Sequence, residues 1–447
     1  MTASMLLVLG VVSALSTVNT RRPIRSPSLI AVVSFFAGWL TSELALHQVT
    51  VQMGLALLLV VDGGLSTWPG LLGLALTSLS SLVLVFDHIR ASRAFHAVDS
   101  ALIASLGEHF RDELAPSVAA WLDVDLRWGW LVFPFPVSHP DVERIGNVVY
   151  QEHEGGSLRL DIIRGRKRKT GCPTLLYVHG GGWVIGHRKS QGLPLMQHLA
   201  SLGWVCFSVD YRLSPRATFP DHLVDVKRAI AWVRGHASEY GADPDFLVLS
   251  GNSAGGHLAA LAALTANRPE YQPGFEQADT SVSACVPFYG IYDFTDRHNH
   301  FPNPGLARLL ERHVMKARLL DARGAYEKAS PIEWVHEDAP PFFLIHGNRD
   351  TLVPTAEARC FFAALAKKSR APVAYAEIEG AQHAFEIFRS RRAAHVIRGV
   401  TAFLSYVYSQ RLAERAAKGG ATSAADALES SGPRSSGPRS TTKAVQA

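Results

Sequence analysis

Ser253 stands in Gly251-Asn252-Ser253-Ala254-Gly255, a G-x-S-x-G pentapeptide between the apolar run FLVLS and the Ala- and Leu-rich run GHLAALAALTA. That context is what gives the motif chemistry. A sharp strand-to-helix turn lifts the serine hydroxyl clear of a sheet edge, and the glycines tolerate the crowded backbone. The amino end of the helix favours negative charge developing beside it. His179-Gly180-Gly181-Gly182-Trp183 follows another apolar run, TLLYV. Its glycines let main-chain N–H groups converge on one spot without side-chain interference. That describes an oxyanion hole, with the Ala254 N–H as a further donor. His179 itself reads as a brace for this loop rather than as a base. Either motif alone could be a plain glycine turn.

A serine hydroxyl is a poor nucleophile without a base. Of the nineteen histidines, His383 in EGAQHAF (379–385) is best placed, just after the apolar run VAYAEIE. His395, the other late candidate, falls inside the presumed final helix. The imidazole needs an acid to fix its tautomer and stabilise its charged form. Asp350 in HGNRDTLVP (346–354), directly after FFLIHG, supplies one, with Glu379 and Asp293 as fallbacks.

These residues must be positioned by strands and helices in alternation. Strand candidates are 144–151, 157–163, 174–180, 204–211, 246–251, 283–290, 342–347 and 373–379, with helical stretches such as 223–240 between them. Strand–helix alternation requires an α/β fold with a mainly parallel central sheet flanked by helices.

Three motifs in order, HGGGW, GNSAGG and YRLSPRATFP (211–220), resemble the hormone-sensitive-lipase branch of the α/β-hydrolases, over about 145–410. The resemblance implies the α/β-hydrolase fold and a serine carboxylesterase or lipase working through an acyl-enzyme, with no cofactor and no metal. It maps the catalytic residues onto Ser253, Asp350 and His383, and the oxyanion donors of the HGGG block onto Gly180 and Gly181. Two positions depart from the family pattern. The residue before the serine, usually Asp, is Asn252, and the acid loop RDTLVP is closer to general esterases and peptidases of the fold.

The start of the chain has a different character. Residues 1–87 carry only Arg21, Arg22, Arg25, Glu43, Asp62 and Asp87 as charged side chains. Apolar runs at 5–18, 28–46, 50–65 and 69–86 read as four membrane-spanning helices, with a turn at DGGLSTWPG. The alternative is a buried helical subdomain. Arg21, Arg22 and Arg25 place the first loop in the cytoplasm, so four spans put the catalytic domain on the outer face of the cell membrane. Three spans would keep it inside, which Arg90 and Arg93 favour.

The resulting organisation is 1–88 as transmembrane helices, 89–142 as a helical and aromatic membrane-proximal segment, 143–412 as the catalytic domain and 413–447 as a disordered tail. Within the second segment, WLDVDLRWGWLVFPFPV (121–137) suits a collar or a lid admitting lipid-like substrates. The tail is rich in Ala, Ser, Gly and Pro, too poor in apolar side chains to offset ordering.

The net charge of +5 is scattered in short runs such as RGRKRK (164–169), without the basic stripe and interleaved aromatics that nucleic acid demands. The expected partners are a small-molecule or lipid ester and the membrane lipids. An amidase or N-deacetylase with the same triad, and a silent membrane scaffold on a hydrolase fold, are the competing readings. Cys206 and Cys285 sit in strand-like runs, where a free thiol packs as a small hydrophobe.

Overall fold

The structure is a computed structural model and describes residues 1–25, 29–123, 132–135, 138–301 and 304–430. Every strand candidate forms a strand: β1 (Val142–His153), β2 (Gly156–Gly165), β3 (Cys172–Val178), β4 (Val205–Val209), β5 (Ala242–Asn252), β6 (Ala284–Phe288), β7 (Phe342–Gly347) and β8 (Val373–Ile378). They build one sheet in the order β1-β2-β4-β3-β5-β6-β7-β8. The β1–β2 and β2–β4 pairings are antiparallel and all the others parallel. Each residue of β3, β4, β6 and β7 is buried, because helices cover both faces of the sheet.

One face packs against helices Asp221–His236, Ala254–Leu264 and Thr355–Lys368, through Leu223, Ile230, Leu258 and Phe361. The other packs against Leu193–Ser201 and the last helix, Arg391–Ser430, through Leu195, Leu199, Val400 and Phe403. The loops carrying the HGGGW block, Ser253, Asp350 and His383 leave the carboxyl ends of β3, β5, β7 and β8. Sites of open parallel sheets form along that edge. The RGRKRK run begins at the end of β2 and leads into the amino end of β3, at the opposite edge.

Ahead of the sheet lie α1 (Thr2–Arg21), α2 (Leu29–Glu43), α3 (Ala45–Val61), α4 (Trp68–Arg90) and α5 (Arg93–Leu106). Helices α1 and α4 run parallel and in register. Ser80 Oγ donates to the Ser13 carbonyl (2.9 Å), the Thr17 and Ser80 hydroxyls meet at 2.5 Å, and Arg21 pairs with Asp87 at 2.7 Å. The buried positions of α1 are Ala3, Leu6, Gly10, Ser13, Thr17 and Thr20; those of α4 are Gly70, Gly73, Thr77, Ser80, Ser81 and Leu84. Steps of three and four residues keep such a seam facing its partner. Small side chains let the backbones touch: a Cβ on Gly73 would stand 2.3 Å from the Leu6 carbonyl oxygen. The outward faces expose Val8, Val12, Leu15, Leu55, Leu58, Leu79 and Leu82.

Two expectations change here. Two helices, Thr2–Arg21 and the stretch Trp68–Leu106, are long and apolar enough to cross a membrane. The second and third apolar runs form a pair bent by 95°, which adds at most one candidate, so by length and composition the described helices offer two or three candidate spans where four were expected. The reason is that α2 turns aside to pack on the catalytic domain. Within the second segment, α5 buries Ala94, Val98 and Leu102 in the core shared with β8 and the last helix. Residues 124–131 and 136–137, most of the lid candidate, lie outside the described residues. Finally, the last helix continues to Ser430, past the expected boundary at 412; the run LAERAAKGGATSAADALES is rich in strong helix formers. Residues 431–447 lie outside the described residues.

Candidate active site

Ser253 sits between the end of β5 and the helix Ala254–Leu264 at φ 55° and ψ −121°, a backbone conformation that non-glycine residues rarely adopt. Two contacts hold the turn there. Its own N–H donates to the Phe288 carbonyl on β6, and its carbonyl accepts from His257 N, both at 2.9 Å. The turn can approach β3 only because Gly255 lacks a side chain; a Cβ there would stand 2.1 Å from the Val178 carbonyl oxygen. The result is a strained elbow with the serine partly exposed at the sheet edge.

His383 and Asp350 are brought together. Nδ1 of His383 lies 2.6 Å from Asp350 Oδ2, and both side chains are buried. The other carboxylate oxygen accepts the N–H groups of Leu352 and Val353, each at 2.8 Å. His346, on β7, brings Nε2 to 3.1 Å from Oδ2. Burial alone would raise the Asp350 carboxyl, but the facing His383 and these hydrogen bonds hold it well below the usual carboxylate range. It therefore stays ionised, as an acid that orients an imidazole must.

The fallback acids are elsewhere. Glu379 pairs with Arg90 and Arg93, and Asp293 with Thr295 and Arg297. His395 lies in the last helix, as expected. Among the described residues no hydrogen bond joins the Ser253 hydroxyl to His383. The two are linked through the end of β6, where Phe288 holds the serine backbone and the Tyr289 ring lies 4.4 Å, centroid to centroid, from the His383 ring.

The glycine loop corrects one expectation. The Gly180 N–H already donates to Asn252 Oδ1 (2.9 Å) and Gln191 Oε1 (2.6 Å), so it is not available to a substrate oxygen. Among the described residues the N–H groups of Gly181 and Gly182 meet no acceptor, and Ala254 N is the first amide of its helix, with no carbonyl a turn behind it. His179 is the expected brace: it is buried, bonds the Gly180 carbonyl at 2.8 Å and stacks on Tyr211 at 4.5 Å.

Three features have no single-residue signal in the sequence. Asn252 Nδ2 donates to the Tyr289 hydroxyl at 3.2 Å, and that hydroxyl donates to Glu386 Oε2. Burial pushes the Glu386 carboxyl up to about 7, with the Glu43 charge adding to the rise. Helix α2 lies on the His383 loop: the Phe35 ring meets the His383 ring edge-on at 6.5 Å, Trp39 Nε1 donates to the Ala384 carbonyl (2.9 Å), and Trp39 stacks on Phe388 at 4.7 Å. The acid loop is tied to α1, since Arg349 Nη1 donates to the Thr20 carbonyl at 2.8 Å. The position of Tyr289 at the carboxyl end of a strand candidate was the one available hint.

Known proteins share this chain's pattern. Residues 160–365 match the BD-FAE family. The chain is 41% identical to the probable carboxylic ester hydrolase LipM of Mycobacterium tuberculosis over 412 residues, which is 90% of this chain and 93% of the relative. It is 42% identical to the esterase LipQ of the same organism, across 73% of this chain and 77% of that one. Among solved structures, esterase Est2 of Thermogutta terrifontis with bound butyrate is 27% identical, with a TM-score of 0.46 over 55% of this chain and 85% of that one.

Proposed function

The chain belongs to the α/β-hydrolase family of carboxylic ester hydrolases that includes LipM and LipQ, and it is itself a carboxylic ester hydrolase; we propose that Ser253 is its nucleophile, His383 its base and Asp350 its acid. The observation that carries this reading is the 2.6 Å contact of His383 with an ionised, buried Asp350, on the sheet edge that also presents the strained Ser253 elbow.

In the first half-reaction Ser253 attacks the ester carbonyl while His383 Nε2 takes the hydroxyl proton. The tetrahedral oxyanion is met by the N–H groups of Gly181, Gly182 and Ala254. His383 then protonates the departing alcohol, and water repeats the sequence on the acyl-enzyme. The serine–imidazole hydrogen bond forms as substrate closes the site, a common behaviour of hydrolases without substrate. The scheme requires neither metal nor organic cofactor. Gly180 serves it indirectly, by fixing the loop to Asn252.

The substrate we propose is an ester with an apolar acyl group, of a short-chain or lipid-like kind. Phe35 and Trp39 of α2 border the His383 loop, while Val33 and Phe36 on the same helix and Ile185 after the glycine loop are exposed. We place α1, the bent α2–α3 pair and α4 in or against a membrane, with α2 along its surface and membrane lipids as neighbours.

Ser253→Ala in the full-length protein tests the assignment. It should abolish hydrolysis of a short p-nitrophenyl ester and labelling by a fluorophosphonate probe while leaving the melting temperature unchanged. Turnover at the wild-type rate would remove Ser253 from the reaction.

A further inference from the structure

Asn252 occupies the position where the resemblance leads one to expect aspartate, and its hydrogen bonds give a physical reason. The Gly180 N–H can only donate, so the atom it meets at 2.9 Å must be the amide oxygen. This leaves Nδ2 facing the Tyr289 hydroxyl, to which it donates at 3.2 Å. A phenol has a single proton, and that of Tyr289 goes to Glu386 Oε2. All three side chains are buried, with Asn252 and Glu386 each 2% exposed and Tyr289 0%. The chain of donors therefore has one direction: the Gly180 backbone amide fixes Asn252, Asn252 fixes the phenol, and the phenol ends on the Glu386 carboxyl group.

A carboxylate at 252 would fit the Gly180 N–H equally well but not the phenol. The Tyr289 hydroxyl would then face two acceptors with one proton to share. One buried carboxylate would lose its partner or have to take up a proton, which costs free energy in either case. Position 252 must donate toward Tyr289 because position 386 accepts from it.

We propose that Glu386 is a positioning residue of this esterase: through Tyr289 and Asn252 it sets the glycine loop beside Ser253. The inference rests on the oxyanion reading given above. Two parts of the machinery depend on the phenol's position. The glycine loop is held by Asn252 together with Gln191, and the His383 imidazole lies against the Tyr289 ring. A shift of that ring displaces both. Tyr177 and Glu43 are the other titratable groups whose charge bears on Glu386 and its partner Tyr289.

The test is a double-mutant cycle in full-length protein, reading kcat and KM for a soluble p-nitrophenyl ester alongside melting temperature. Asn252→Asp alone should lower kcat about tenfold, with KM little changed because the oxyanion forms only in the transition state. Adding Glu386→Gln should bring kcat back to within about threefold of wild type, a coupling of the size seen for residues in one network. The glutamine amide can donate to the phenol, and the phenol can then donate to the carboxylate at 252. A double variant as slow as Asn252→Asp, or slower, overturns the proposal.

Should Asn252→Asp fail to fold, Glu386→Leu and Tyr289→Phe form a second cycle. Glu386→Leu should slow the wild type about tenfold and have no further effect once the hydroxyl of Tyr289 is gone. Equal losses in both backgrounds would overturn the proposal too. Neither result bears on the nucleophile, which Ser253→Ala decides separately.

Discussion

Between α1 and α4 the packed residues are mostly small, with Ala3, Gly10, Ser13, Thr17, Gly70, Gly73, Thr77 and Ser80 beside the larger Leu6 and Leu84. Around the sheet they are Trp204, Phe207, Phe246, Phe288 and Phe342, all fully buried. Two parts of one chain thus use different means of cohesion. Large apolar side chains stabilise a core because burial removes them from water. In the membrane location proposed above, the surroundings would be as apolar as leucine and that gain absent, leaving close backbone approach with a few hydroxyl contacts to serve. The same helices leave their leucines and valines facing outward, the arrangement a lipid environment permits. The comparison also separates roles: the sheet edge carries the proposed reactive groups, and the amino-terminal helices α1 and α2 supply supports on which two of their loops rest.

Four substitutions test this division, from the largest effect to the smallest. Asp350→Asn should cut kcat by about 10⁴-fold by favouring the wrong imidazole tautomer, with little change in melting temperature. Near-normal turnover would show that chemistry does not depend on this part of the sheet edge. Phe207→Ala should destabilise the catalytic domain by about 3–5 kcal/mol, read from urea unfolding followed by esterase activity. Gly73→Leu adds side chain where even a Cβ meets the Leu6 carbonyl, and overpacking of this kind costs about 1–3 kcal/mol or more. Cysteines introduced at 17 and 80 should cross-link in the parent and not in that variant. Equal cross-linking would mean that the backbones need not touch, and the contrast would lose its basis.

The mildest test concerns pH. Burial pushes the Glu357 carboxyl up to about 8, with the charges of Asp293 and Asp296 adding to the rise, from an ordinary value of 4.5. The folded protein therefore binds more protons than the unfolded chain between those values. The stability from this group is full below the ordinary value and is lost as pH rises to about 8. Glu357→Gln should flatten the decline in urea midpoint between about pH 5 and about pH 8. An unchanged slope would assign the decline to other groups.

Much of the catalytic half was legible in the sequence because its signals are local. Strand runs of apolar residues, a serine between a strand and a helix, and an aspartate and a histidine just past later strands each state their own place. What could not be read depends on contacts between distant segments. Which glycine amide stays open is decided by the Asn252 and Gln191 side chains, and nothing in HGGGW reveals it. Glu386 lies three residues beyond His383, in a short 3-10 turn where spacing does not tell which way a side chain points. The run 28–46 looks like a span because hydropathy is blind to what an apolar face touches. In the structure that face is divided, with Phe35 and Trp39 on the enzyme and Val33 and Phe36 outward.

The two ties from the amino-terminal helices, Arg349 to the Thr20 carbonyl and Trp39 to the Ala384 carbonyl, have a practical consequence at the bench. Trimming the first 88 residues to obtain a freely soluble enzyme would also cut away two struts, one beside the acid and one beside the base. Rates measured on such a shortened chain would describe a catalyst with slackened loops, and its chain-length preferences would belong to the trimming as much as to the protein.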